Sequence, residues 1–211
     1  GFDADSVFYV TQGKSTLGRF SDRVISSSKT QTSNYPQFFA KETRTVFKDV
    51  YPGIDYLGQF SIQGSKYLAL GTRENPAVLS LKRAGKLVLK ASATSFSFSE
   101  KNILSDQAAV VIYVNLDSIT HPNLSFNYTV DNRRLLLFQD VKAMNRATFT
   151  DSYHQIDIDA ESLQWNLDSS FIAFRKTSGL SEAIADFRSV NFYSEQEYEA
   201  IGGITSTHPL R

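Results

Sequence analysis

The chain has 211 residues, with 22 lysines and arginines balanced by 22 aspartates and glutamates, so its formal charge at neutral pH is zero. That balance leaves no basic stripe for a nucleic-acid backbone and no polybasic patch for an anionic membrane. Cysteine is absent, which excludes disulfides, thiolate metal ligands and a cysteine nucleophile, and no apolar run is long enough for a membrane-spanning helix.

Residues 1–50 read as an N-terminal strand-and-loop segment. Val7-Phe8-Tyr9-Val10 predicts a short strand, and Phe20 to Ile25 suits a short helix. The serine- and threonine-rich run from Ser26 to Ser33 predicts a loop, after which Phe38 to Val46 resumes strand character. Val50-Tyr51-Pro52-Gly53 is a turn that leads into the main array.

Residues 51–178 read as successive β-hairpins. Tyr56, Gly58, Phe60 and Ile62 alternate with Leu57, Gln59 and Ser61, Gln63-Gly64-Ser65 turns the chain, and Tyr67, Ala69 and Gly71 alternate with Leu68 and Leu70 on the return. A period of two, interrupted by a glycine-bearing turn, is the hairpin signal, and Gly58 and Gly71 inside strands mark bulges or close backbone approach. Arg73-Glu74-Asn75-Pro76 and Ala84-Gly85 are the next turns, and Phe96 and Phe98 are separated by serines. Val110, Ile112 and Val114 alternate with Val111, Tyr113 and Asn115, and Leu124, Phe126, Tyr128 and Val130 alternate with Ser125, Asn127 and Thr129. The Asp131-Asn132 pair suits left-handed turn geometry before Leu135 to Phe138 returns. A short helix fits Val141 to Asn145, then Ile156 and Ile158, Leu163, Trp165 and Leu167, and Phe171 to Phe174 restore strand character.

Residues 179–211 read as short helices and an exit linker. Ser181 caps a helix to Arg188, with Ile184 and Phe187 on one face, and Ser194 with Glu197 forms a capping box for a second helix that Gly202-Gly203 stops. Thr205 to Arg211 reads as a linker leading onward. The expected fold is all-β: antiparallel hairpins forming a sandwich or an open stacked β-layer, with one or two short C-terminal helices. The three stretches are equally compatible with one domain.

Two resemblances carry further expectations. Tyr51-Pro52-Gly53, Phe60-Ser61, the Gly85-Lys86-Leu87 turn, Asp117-Ser118-Ile119 and His121-Pro122 resemble, in order and spacing, a segment of very long cell-envelope proteins of Bacteroidota, over about residues 40–205. Ile112-Tyr113-Val114, followed by Asp117 and a strand–turn–strand, is similar to the repeat of the OstA family of lipopolysaccharide-transport proteins, which stack strands into an open, greasy jelly roll. The resemblances imply an architecture and a periplasmic or envelope location, and name no reaction.

Candidate chemistry is sparse. His121 and His208 each precede proline, which reads as a turn residue, the alternative being an acid–base or metal site. The best metal candidates are His154, Asp157 and Asp159. Asp157, Asp159 and the neighbouring Glu161 would share a strand face and could offer oxygens to calcium, but no glycine shapes a calcium loop, and the alternative is a solvated face opposite Ile156 and Ile158. Tyr113, Tyr128 and Trp165 are the candidate ligand-binding aromatics, a sugar-stacking row if exposed and ordinary core or cross-strand packing if not. Neither Gly-x-Ser-x-Gly, Gly-x-Gly-x-x-Gly nor a Walker loop occurs, and no two acids stand out as a glycosidase pair. Hence no catalytic residue and no cofactor is assigned. The expected role is a non-catalytic structural or interaction module of a larger envelope protein. Its partners would be neighbouring domains of that parent chain, and the alternative is a glycan- or lipid-binding module.

Overall fold

The computed structural model describes residues 1–11, 14–24, 34–139, 147–176 and 185–190, with the backbone alone at residues 11 and 14. Among these residues there are 17 strands, all in one antiparallel sheet, and no helix. The all-β, antiparallel expectation therefore holds.

The sheet is folded along a line that three long strands cross. β5 (Ile54–Gln63) pairs through its first half with β4 (Thr45–Tyr51) and β7 (Ala77–Arg83), and through its second half with β3 (Gln37–Ala40) and β6 (Lys66–Leu70). β10 (Asn102–Val114) pairs with β9 (Ser95–Phe98) near its start and with β8 (Lys86–Ala93) farther on. β11 (Asp117–Thr129) follows β10 throughout and passes from β13 (Phe149–Asp151) to β12 (Arg134–Phe138). The first leaf thus contains β4, β7, β8 and β13, continued by β14 (Ile156–Asp159) and β17 (Asp186–Ser189). The second contains β3, β6, β9 and β12, continued at one end by β15 (Ser162–Asn166) and β16 (Ile172–Arg175), and at the other by the hairpin of β1 (Phe2–Thr11) and β2 (Lys14–Asp22).

Small residues allow the fold line. Ala77, Ala93 and Ala108 are register partners in turn, and all three are buried. Gly58 sits where the β7-paired and β6-paired halves of β5 meet, and a Cβ there would lie 2.9 Å from the Leu70 carbonyl oxygen. A Cβ on Gly71 would lie 2.1 Å from the Ala77 nitrogen. In β10 and β11 the same bend is made by two register shifts, one on each side of Ala108, and Pro122 occupies the second. Strands that change sheets do so at bulges, and proline is tolerated there because the ladder is already interrupted.

Turn chemistry sets the hairpins. Ala84 and Gly85 both have positive φ, the type I′ requirement, between the paired Arg83 and Lys86. The core is built by rows of inward residues across the ladder. Phe98, Ile103, Tyr128, Leu135 and Trp165 form one such row, and Phe96 meets Phe126 edge-on at 5.8 Å. Phe47 stacks on Tyr56 at 4.7 Å, and Tyr9 reaches across to Phe38 and Phe60 at 5.4 and 5.2 Å.

The structure corrects several expectations. Phe20 to Asp22 belongs to β2, so no helix runs from Phe20; Gly18 of this strand faces the Phe38 ring, which a Cβ would meet at 2.3 Å. The single strand expected over Phe38 to Val46 is broken into β3 and β4, one in each leaf. Asp186 to Arg188 lies in β17, paired with β14, and not in a helix. The left-handed residue of the β11–β12 turn is Arg133, not Asp131 or Asn132. The helices expected at Val141 to Asn145 and Ser194 to Ile201, the loop at Ser26 to Ser33, the linker at Thr205 to Arg211 and His208 lie outside the described residues.

Candidate functional site

Opposite the fold line, the hairpin turns of the two leaves meet as a pair of lips. Arg83, at the end of β7, donates from Nη1 to the carbonyls of Leu167 (3.0 Å) and Ser169 (3.2 Å) in the β15–β16 turn. Arg133, in the β11–β12 turn, donates from Nη2 to the Lys82 carbonyl at 3.2 Å and pairs through Nη1 with Asp168 at 2.9 Å. The Tyr51 hydroxyl donates to the Ser99 carbonyl at 2.6 Å. These contacts close the lips over an interior already filled by side chains.

A cleft of about 460 Å³ opens at the lips, lined by Asp49, Pro52, Gly53, Lys82, Ala84, Gly85 and Arg133. Its two cations are already engaged. Lys82 pairs with Asp55, whose carboxyl also accepts from the Asp49 N–H at 2.9 Å. Burial alone would raise the Asp55 carboxyl, but the ammonium and the N–H outweigh it and hold it below its usual range, while Asp55 holds the Lys82 ammonium above its own. A lysine held charged is a poor general base. The positive φ of Ala84 and Arg133 belongs to turn geometry, and that of Asp49 to the register shift of β4 between Phe47 and Tyr51. Sequence spacing carries no signal for the Arg83 and Arg133 contacts, since what makes them is the folding of one leaf onto the other.

The residues singled out from sequence fall elsewhere. Tyr128 and Trp165 are buried, at 2% and 5% exposure, so neither offers a ring face to a sugar, and Tyr113 is half-buried at the far end of β10. The Trp165 indole donates to the Ser169 carbonyl at 3.2 Å, and burial pushes the Tyr128 phenol up. The three do not form a surface row.

The metal candidates also part company. The His154 Nδ1 lies 2.7 Å from Asp151, whose other carboxylate oxygen accepts the Tyr153 N–H at 2.9 Å, so this pair fixes the β13–β14 turn. Asp157 accepts from the Thr150 hydroxyl at 2.9 Å, and Asp159 pairs with Lys176 at 2.6 Å. Lys176 bridges to Asp186 at 2.7 Å as well, tying the end of β16 to β14 and β17. Among the described residues no group of three or more histidines, aspartates or glutamates is placed to hold a metal ion.

His121 is not a turn residue. It sits in β11 at 3% exposure, tilted against Phe149 at 4.6 Å. Its Nδ1 accepts the Asn123 N–H at 3.1 Å, which fixes the neutral tautomer with Nε2–H donating to the Ala147 carbonyl at 3.1 Å. Burial lowers its pKa.

No protein-family model, no curated protein and no solved structure matches this chain. Among the described residues no helix is long and apolar enough to cross a membrane.

Proposed function

We propose that the chain is a non-catalytic structural or interaction module of a larger cell-envelope protein, lying in the periplasm or cell envelope and working through its outermost strands. The observation that carries this reading is the form of the sheet. Among the described residues it is a folded ladder that does not close on itself. Among the described residues β1, β4, β16 and β17 are outermost, while the space between the leaves is packed with side chains. An open ladder can be extended by further strands, which is how an array of hairpins continues into neighbouring domains of a parent chain. The interior row containing Tyr128 and Trp165 supports packing over ligand stacking, and at the lips Lys82 and Arg133 are each held in an ion pair.

Amide hydrogen exchange on the isolated chain and on the longer parent polypeptide tests this. The outermost strands β4, β16 and β17 should gain protection in the longer protein. Titration with envelope polysaccharides and with lipid vesicles, read by Trp165 fluorescence and amide shifts, should give no saturable change. Saturable binding of either ligand, with edge-strand exchange the same in both proteins, would establish the glycan- or lipid-binding alternative instead.

A further inference from the structure

We propose that β1 is a self-complementary edge that pairs antiparallel with β1 of a second copy of this chain. The inference rests on the reading above and names one partner for one edge.

β1 carries a bulge near its middle. Register runs from Ala4 opposite Phe20 to Val7 opposite Gly18, so residues 5 and 6 together oppose Arg19. The extra residue resets the alternation. Ala4 lies in the inward row through Phe20 and Phe38, and Val7 lies in the inward row through Gly18 and Ala40. Asp3, in the row of Ser21 and Gln37, faces outward, as does Phe8 opposite Leu17. The pattern out–in–bulge–in–out over residues 3–8 therefore reads the same in both directions. An unbulged strand of this length would present opposite faces at its two ends.

A two-fold axis between residues 5 and 6 sets Asp3 opposite Phe8 and Ala4 opposite Val7 of the second copy, twice each by symmetry. Directly opposed residues then share a face, as an antiparallel pair requires. The composition suits this. Among the described residues β1 pairs with β2 alone, and residues 3–8 contain neither proline nor lysine, although Asp5 and the bulge are features that edges use against pairing and the Lys41 ammonium donates to the Ser6 hydroxyl at 2.9 Å beside the axis. Phe8 is 66% exposed. Asp3 is already held by Arg23 at 2.9 Å and by the Ser21 hydroxyl, and Asp5 by Arg19 at 3.4 Å. The opposing element is the closeness of the two Asp5 carboxylates across the axis.

The absence of cysteine makes the test clean. Asp3→Cys and Phe8→Cys both lie at exposed positions, so each variant should fold, as circular dichroism checks. Mixed and oxidised, they should give a disulfide-linked dimer. Neither alone should do so, because residue 8 is placed opposite residue 3. Sedimentation should show a reversible dimer of the unmodified chain, loosened about tenfold or more by Phe8→Lys and tightened by Asp5→Asn, which removes the repulsion at the axis. A monomer at every concentration overturns the proposal, as does a dimer in which Phe8→Cys cross-links to itself as readily as to Asp3→Cys. Either result leaves the hydrogen-exchange comparison of the outermost strands standing as the separate test of the module reading.

Discussion

His121 shows how a residue that looks chemical can be structural. Its ring is buried, its Nδ1 accepts a backbone N–H, and its Nε2–H is used by a backbone carbonyl. Protonation would turn Nδ1 into a second donor facing the Asn123 N–H. Because burial sets the folded pKa below the unfolded one, the unfolded chain binds the extra proton first. Stability is thus complete above an unfolded pKa of about 6.5 and is lost as pH falls from there toward the folded value, at no more than about 1.4 kcal/mol per pH unit. Urea unfolding at pH 7.5 and pH 5.5 should show this loss in the wild-type chain and a smaller one in His121→Gln, even though that variant is less stable at both. Equal losses would mean that His121 does not titrate across this window. The sequence offered only the His-Pro dipeptide, which carries no information on burial. Tyr128 and Trp165 were legible as strand residues on alternating faces. Which face is inside depends on the partner leaf.

Among the strands and turns, local signals are legible in the sequence and their assembly is not. Gln63-Gly64-Ser65, Ala84-Gly85 and Pro52-Gly53 all turn hairpins, because two-residue turns make local conformational demands that glycine and proline betray. β2 went unseen because its inward positions, Thr16, Gly18 and Phe20, pair one large apolar residue with two small ones. The fold line was half-legible: Gly58 and Gly71 announced close approach, but the alanines that complete the corner are unremarkable in a strand. Gly71→Ala tests the corner directly. The new methyl meets the Ala77 backbone nitrogen, which cannot swing aside as a side-chain end could. The expected cost is about 1–3 kcal/mol in urea unfolding. A neutral result would show that the β6–β7 connection shifts freely and that the corner is not built by tight backbone contact.

At the scale of the molecule, the two leaves are one folding unit because β5, β10 and β11 belong to both and one core lies between them. Nothing in the alternation of a single strand announces this, since pairing with two different neighbours on the same side is a property of the ladder and not of the strand. Its consequence is cooperativity. Trp165 is the chain's only tryptophan and sits in the second leaf, whereas far-ultraviolet circular dichroism reports strands of both. If the shared strands and the Arg83 and Arg133 contacts couple the leaves, the two signals should follow one denaturant transition with the same midpoint. Arg133→Ala removes the hydrogen bond to Lys82 and the pair with Asp168, and places alanine at a positive φ. It should lower that common midpoint without splitting it, because the long strands remain. Arg133→Gly, which accepts the backbone angle, should recover the part of the loss due to conformation and leave the part due to the lips. Separate midpoints for the two signals in the wild-type chain would show that each leaf holds its own structure, and the fold line would then be a hinge between two sheets and not the spine of one.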